Sequence, residues 1–165
     1  MKNLELLKQV QAFIFDVDGV MTDSTMLVTE GGQLLRRMNV RDGYALKKLV
    51  KLGIPVACIT GGTSQGVVHR LKGLGLQHIY VGIEDKVPVL TKLMKELGLN
   101  PQHTLYMGDD MPDYEAMQMA GCIACPADAD TEILKISKYV TKASGGKGCV
   151  REAIETVLRI QQRWI

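Results

Sequence analysis

Nothing in the first eleven residues reads as a secretion signal or a membrane span: Met1 to Gln11 carries Lys2, Glu5 and Lys8 and holds no long apolar stretch. A strong charge of either sign is also lacking. Twenty Lys and Arg against 18 Asp and Glu leave a formal net charge of +2, and the positive residues are scattered. That argues against a nucleic-acid partner and against a membrane-surface patch. Cysteine is sparse. Cys122-x-x-Cys125 has the spacing of a redox motif or half a zinc site, but no second Cys pair or His pair completes it. Cys58 falls in an apolar stretch, where packing is the usual role, and Cys149 in a glycine-rich tail where no chemistry is expected. Reduced thiols and the absence of a leader predict a cytoplasmic protein. No internal repeat and no low-complexity segment appears, and 165 residues leave no room for a sizeable second domain. One domain over residues 1–165 is expected, long enough to bury about 70% of its extended surface without disulfides or structural metal.

What the chain does have is an alternation of strand and helix signals, which predicts an α/β fold: a parallel sheet flanked by helices. The apolar run beginning at Phe13 ends abruptly in Asp16-Val17-Asp18-Gly19-Val20, as a buried strand delivering two carboxylates to its C-terminal edge would. Met26 to Thr29 and Leu34 to Met38 flank Glu30-Gly31-Gly32-Gln33 and predict a β-hairpin inserted at about residues 21–38. A helix follows from Arg41 to about Leu52, stopped by Gly53, then a strand from Ile54 to Ile59 closed by Thr60-Gly61-Gly62. Further on come a helix over Val67 to Leu74, a short strand Ile79 to Val81, and a helix starting at Lys86 and ending near Gly98. Thr104 to Met107 reads as a strand, followed by Gly108-Asp109-Asp110, a helix over Tyr114 to Ala120, a strand Cys122 to Ala124 and a short helix Thr131 to Ser137. The glycine-rich segment Ser144 to Gly148 and a last helix from Val150 to about Arg163 occupy residues 144–165.

The conspicuous polar residues Asp16, Asp18, Thr60, Lys86, Asp109 and Asp110 all fall at strand ends or just beyond them, the edge where open α/β sheets bind ligands. Two acids one residue apart need a cation or a shared proton to coexist. Hard oxygen ligands without His or Cys favour Mg²⁺, which recruits substrate phosphate. A carboxylate beside such a cation can attack phosphorus and form an aspartyl-phosphate. Asp18 can then protonate the leaving alcohol and later take a proton from water. Thr60 and the amides around Gly61 can bind phosphoryl oxygens, and Lys86 offsets the crowd of carboxylates. Asp110 and Asp113 can hold the metal's waters from outside. Each residue has a plainer reading alone: Thr60 as a helix cap, Lys86 as an exposed helix-start lysine, Gly108-Asp109-Asp110 as a turn. Their joint order favours the active site.

These motifs resemble the haloacid-dehalogenase (HAD) superfamily of phosphotransferases: Asp16 to Val20 first, Ile59-Thr60-Gly61 second, Lys86 third, and Gly108-Asp109-Asp110-Met111-Pro112-Asp113 fourth. The resemblance implies a Rossmann-like fold with Asp16 as nucleophile and Asp18 as general acid/base. It also implies Mg²⁺ on Asp16, Asp109 and the backbone carbonyl of Asp18, with Thr60 and Lys86 on the phosphoryl group. Asn39 to Tyr44 and Gly145 to Glu152 are similar to the capless branch that includes the phosphatases of 3-deoxy-D-manno-octulosonate (KDO) 8-phosphate. That branch implies a sugar-acid phosphate as substrate and a homotetramer built by the hairpin, with a neighbouring subunit and the tail covering the site. It places substrate contacts on Asp18, Asn39, Val40, Arg41, Asp42, Gly43, Lys47, Gly61, Gly62, Arg70 and Lys86. Multiply charged sugar acids suit Arg, which grips carboxylates in a two-point fork. Gly62 stands where many members have Arg, so that cation is missing or comes from another residue such as Arg70; Gly62 also leans towards an eight-carbon over a nine-carbon sugar acid. The alternative class is a phospho-accepting receiver module. Its accepting Asp lies on a later strand, whereas here a second acid pair follows the Lys and Asp18 stands beside Asp16, which favours hydrolysis.

Overall fold

A computed structural model describes residues 2–165. Its centre is a six-stranded parallel sheet. Four strands form the middle: β1 (Ala12–Phe15), β4 (Val56–Ile59), β6 (Thr104–Met107) and β7 (Cys122–Cys125), every residue of which is buried. Strands covered on both faces read as continuous apolar runs, as these do. The flanks are β5 (His78–Tyr80) and β8 (Tyr139–Val140), giving the order β5-β4-β1-β6-β7-β8. The chain moves outward from β1 through β4 to β5 and then returns to the other side of β1 with β6. This reversal opens a crevice at the carboxyl ends of β1 and β6.

Alternation along the strands sorts the core into two layers. Phe13, Phe15, Cys58, Leu105 and Met107 face one apolar cluster, and Ile14, Ala57, Ile59, Tyr106 and Ile123 face the other. On the first side lie α1 (Lys2–Lys8), α2 (Val40–Lys51), α3 (Gln65–Gly73) and α7 (Cys149–Ile160), contributing among others Leu7, Leu46, Leu71 and Ile154. On the second lie α4 (Lys86–Glu96), α5 (Tyr114–Met117) and α6 (Thr131–Ile136), through Leu90, Leu93, Met117 and Ile133. All four cysteines are free and buried, as packing residues would be.

The helix starts follow ordinary capping rules. Asn39 Oδ1 accepts from Arg41 N at 2.8 Å to open α2, and Gly53, at φ +66°, closes its far end. The inserted hairpin is real but short: β2 (Leu27–Val28) pairs antiparallel with β3 (Leu34–Leu35). One element was not assigned from the sequence and one is shorter than expected. The N-terminal segment is helical, because Leu7 and Val10 find cover against the α7 side of the core, and Gln161 Nε2 donates to the carbonyls of Lys8 and Val10. α5 ends three residues short of Ala120, and Gly121 N is drawn instead to the Pro101 carbonyl at 2.7 Å. No helix is long and apolar enough to cross a membrane among the described residues.

Candidate active site

β1 carries its parallel ladder one residue past its end, with Asp16 N donating to the Met107 carbonyl at 3.0 Å. The Asp16 side chain is thereby fixed at the floor of the crevice, 6% exposed. The chain then turns sharply at Gly19, whose φ of +91° and missing side chain both matter: a Cβ there would overlap the Asp109 carboxylate. Asp109 arrives from the end of β6. At Gly108, a Cβ would sit 2.5 Å from the Asp113 carboxyl carbon, so this glycine admits Asp113 into the site.

Asp16, Asp109 and Asp113 each offer an oxygen to one small volume, those oxygens lying within 4.8 Å of one another. Lys86 enters from the first position of α4, 3% exposed, with Nζ 2.7 Å from Asp113 Oδ1 and 3.0 Å from Asp16 Oδ1. Tyr106 of β6 donates its hydroxyl to Asp113 Oδ1 at 2.9 Å. Asp16 Oδ1 and Asp109 Oδ1 are buried without a hydrogen-bond partner; the Lys86 contact to Asp16 is an ion pair without hydrogen-bond alignment.

The electrostatics describe a site short of positive charge. Burial first, and then the Asp113 charge, push the Asp16 carboxyl up to about 7 against the pull of Lys86. Burial, followed by Asp16, Asp113 and Asp110, raises Asp109 to about 8. Burial pulls the Lys86 ammonium down, but Asp16 and Asp113 outweigh it and hold it above its ordinary value. Two orphaned carboxylate oxygens and two carboxyls raised by crowding fit a hard divalent cation, which would satisfy the oxygens and offset the charge. Asp16 and Asp109 would hold it, with Asp113 beside them.

The sequence reading placed Asp113 outside with Asp110; the structure separates them. Asp110 is exposed and caps the 3-10 turn Met111–Asp113, accepting from Met111 N at 2.7 Å, and that turn swings Asp113 inward to 1% exposure.

Thr60, 2% exposed, follows β4 and accepts at Oγ1 from Gly62 N at 3.2 Å. Asp18 stands at the rim with its side chain 34% exposed, held by Arg36 in a fork: Nε to Oδ1 at 2.9 Å and Nη2 to Oδ2 at 3.0 Å. Arg36 leaves the hairpin just after β3, and its guanidinium occupies the space over Gly62, where a Cβ would lie 3.0 Å from Nη2. The cation beside Gly62 is therefore Arg36 and not Arg70. Arg70 instead covers Gly43 of α2, where a Cβ would be 2.5 Å from Nη2.

The remaining expected substrate residues are divided. Val40, Arg41 and Lys47 are exposed on α2, and no hydrogen bond or ion pair among the described residues ties them or Arg70 to the carboxylate cluster. Asn39 and Asp42 are occupied in binding the tail. Asn39 Nδ2 donates to the Gly146 carbonyl at 3.3 Å, and Asp42, 3% exposed, accepts from Arg151 N at 2.7 Å in the first turn of α7. Gly145 lies so close to the nucleophile loop that a Cβ would overlap the Gly19 carbonyl. Gly146 N and Cys149 Sγ donate to the Val20 carbonyl at 2.9 and 3.0 Å. Sequence reasoning missed Arg36 and Tyr106. Tyr106 was detectable: a tyrosine in a buried strand two residues before Gly108 needs a partner for its hydroxyl.

A buried aspartate ending the central strand, a threonine, a lysine and a second acid pair at one sheet edge define a class. Residues 38–121 match the family model for haloacid dehalogenase-like hydrolases, and the chain belongs to that family. Among its relatives, KdsC of Yersinia pestis, a 3-deoxy-D-manno-octulosonate 8-phosphate phosphatase, is 36% identical over 154 residues, spanning 93% of this chain and 82% of that protein. The fold superposes with TM-score 0.94 on the 3-deoxy-D-manno-octulosonate 8-phosphate phosphatase of Moraxella catarrhalis solved with magnesium, phosphate and KDO. That protein is 35% identical, covering 99% of this chain and 94% of that one. The cobalt-bound Haemophilus influenzae phosphatase gives TM-score 0.91 at 31% identity, covering 96% and 93%.

Proposed function

We propose that this protein is a Mg²⁺-dependent phosphomonoester hydrolase that releases phosphate from KDO 8-phosphate. The observation that carries the reading is the buried Asp16 carboxylate, ion-paired with Lys86 but with Oδ1 lacking a hydrogen bond, set beside Asp109 and Asp113 at the sheet's carboxyl edge. The substrate is carried over from relatives at 34% to 36% identity over 93% of the chain.

An oxygen of Asp16 attacks phosphorus, and the bond from phosphorus to the ester oxygen breaks. Asp18 donates its proton to the departing sugar alkoxide, leaving Asp16 as an aspartyl-phosphate. A water then attacks the same phosphorus while Asp18 takes its proton; the bond from phosphorus to Asp16 breaks, and inorganic phosphate leaves. The Thr60 hydroxyl and the backbone amide of Gly61 bind phosphoryl oxygens, while Gly62 N holds Thr60 Oγ1 in place. Lys86 stabilises the charge that builds on them and favours the ionised form of Asp16 against burial and Asp113. Bound Mg²⁺ supplies neutralising charge to Asp16, Asp109 and the phosphoryl group. Val40, Arg41, Lys47 and Arg70 face the sugar acid, with Asn39, Asp42 and Gly43 shaping the backbone beneath them.

The hairpin supports an assembly. Met26, Leu27, Val28, Leu34 and Leu35 are 44% to 66% exposed on a two-stranded ribbon, an apolar surface that a second copy would cover. A homotetramer joined through these ribbons would also shield the crevice from bulk water. Cytoplasmic residence follows the reduced, buried thiols.

The test is phosphate release, with Mg²⁺ and with EDTA, from KDO 8-phosphate, a nine-carbon sialic-acid-type 9-phosphate and an aryl phosphate. Preference for KDO 8-phosphate by orders of magnitude, abolished by Asp16→Asn, is expected. Equal slow rates on all three would overturn the substrate assignment, and Mg²⁺-independent turnover in Asp16→Asn would overturn the mechanism.

A further inference from the structure

Arg36 belongs to no motif, yet it is the second cation touching the carboxylates of this site. Among the described residues, Lys86 and Arg36 alone pair with Asp16, Asp18, Asp109, Asp110 or Asp113. Lys86 is committed to Asp16 and Asp113 at the floor. Arg36 stands at the rim, on Asp18.

The Arg36 side chain is only 6% exposed and is held from two directions. Nη1 donates to the Leu34 carbonyl at 3.0 Å, tying the guanidinium to its own strand, while Nε and Nη2 grip Asp18. A guanidinium has five N–H donors in a fixed plane. Three are used here, so one on Nη1 and one on Nη2 have no partner among the described residues. A charged donor at the rim of the site without a protein acceptor is available to a ligand oxygen.

The surroundings say which ligand. Arg36, Thr60, Gly62 and Asp18 wall one narrow cleft together with Val17, Ser64, Val67 and Val81, too tight to admit a water molecule in this conformation. Thr60 supplies the hydroxyl proposed for the phosphoryl group, and the guanidinium shares a wall with it. Gly62 makes this possible: any side chain there would start 3.0 Å from both Nη2 and Asp18 Oδ2.

We infer that Arg36 is a substrate-binding residue, which meets the phosphoryl oxygens of the bound monoester with its two free N–H donors while its fork keeps Asp18 at the ester oxygen. Gly62 is the vacancy that admits it. The inference rests on the phosphatase reading above and deepens it. It explains how an anion reaches a site that already holds four carboxylates: the hairpin lends the positive charge. Because the guanidinium is planar and carries parallel donors, Arg36 and Lys are not equivalent here; an ammonium has the charge without the two-point geometry.

The experiment measures inorganic phosphate binding by calorimetry with Mg²⁺ present, alongside KM and kcat for KDO 8-phosphate, in wild type, Arg36→Gln, Arg36→Lys and Gly62→Ala. Arg36→Gln should weaken phosphate binding and raise KM about 10- to 100-fold, as loss of a charged hydrogen-bond donor does. Arg36→Lys should recover part of both, through charge alone. Gly62→Ala keeps the arginine but crowds it, and should raise KM in the same direction even if Arg36→Gln proves too unstable to assay. Phosphate affinity within twofold of wild type in either Arg36→Gln or Gly62→Ala would overturn the inference, as would a fall in kcat with KM and phosphate affinity unchanged. Phosphate binding is read without turnover. A wild type that binds phosphate through Arg36 but hydrolyses no monoester would therefore sink the phosphatase reading and leave the Arg36 assignment standing.

Discussion

Binding of Mg²⁺ at neutral pH should expel protons, and the structure sets how many. Asp16 at about 7 and Asp109 at about 8 both stand far above the ordinary carboxyl value of 3.8, because they are buried together with too little positive charge. At pH 7 about half of the Asp16 and nine-tenths of the Asp109 carboxyls therefore carry a proton in the metal-free protein. A divalent cation requires both ionised, so filling the cluster should release between one and about one and a half protons per site at pH 7. At pH 9 the release should fall to about a tenth of a proton. Titration calorimetry in buffers of different ionisation enthalpy counts these protons directly. Below pH 7 the apparent affinity should rise with pH by a slope that steepens towards about two protons per site as both carboxyls fill. The stability of the metal-free protein carries the opposite sign: raised carboxyls favour folding fully below pH 3.8, and that contribution is lost as pH climbs through 7 and 8. Proton release near zero at pH 7, or equal at pH 7 and 9, would show that the cluster is already ionised and would refute the account of an electron-rich, cation-deficient site. Asp109→Asn should remove more than half of the release.

Three further outcomes follow. Tyr106→Phe deletes a buried donor to Asp113 and should cost about 1 kcal/mol in urea denaturation; an unchanged midpoint would mean that the hydroxyl contributes nothing. Asp42 is pushed up to about 6 by burial, so its charge opposes folding at alkaline pH. Asp42→Asn, which keeps an acceptor for Arg151 N, should match wild type at pH 4 and exceed it at pH 8 by up to about 3 kcal/mol; no pH-dependent gain would contradict this. The tetramer proposed above predicts a four-chain mass by light scattering that falls to one chain in the Leu27→Asp, Leu35→Asp double variant; a one-chain mass in wild type would overturn the assembly, and an unaltered four-chain mass in the variant would remove the hairpin from it.

The parts of the site that were legible in the sequence are those fixed by strand ends. An apolar run that stops at Asp16 and another that stops before Gly108-Asp109 announce both their burial and their edge, because a strand has one direction and one period. Lys86 and Thr60 were legible for the same reason. Asp113 was not: helical spacing groups it with Asp110, whereas the 3-10 turn starting at Met111 rotates it under Gly108. Arg36 was hidden by its neighbour, since Arg36-Arg37 gives no local sign of which arginine turns inward; only the fold shows Arg37 reaching outward to Asp23 and Arg36 to Asp18. Asn39 and Asp42 were recognised as important, but their partners lie in the tail more than a hundred residues away, beyond the reach of any local pattern.

The seating of the tail against the nucleophile loop has a consequence for how the protein is made. Val20 is bonded by groups at positions 146 and 149, a separation of 129 residues for the thiol contact. Closing a loop of that length costs about 4 kcal/mol of chain entropy, which must be met before the contact returns anything. β1, which precedes β4 and β6 in the chain, is also the strand on which both assemble. At ordinary translation rates, on the order of ten seconds separate emergence of the Asp16 loop from that of the residues that brace it. During that interval the nascent chain holds its nucleophile without the backing that fixes it. Bracing of the Asp16 loop thus waits on residues made 129 positions later, and a chain truncated before Cys149 would lack it.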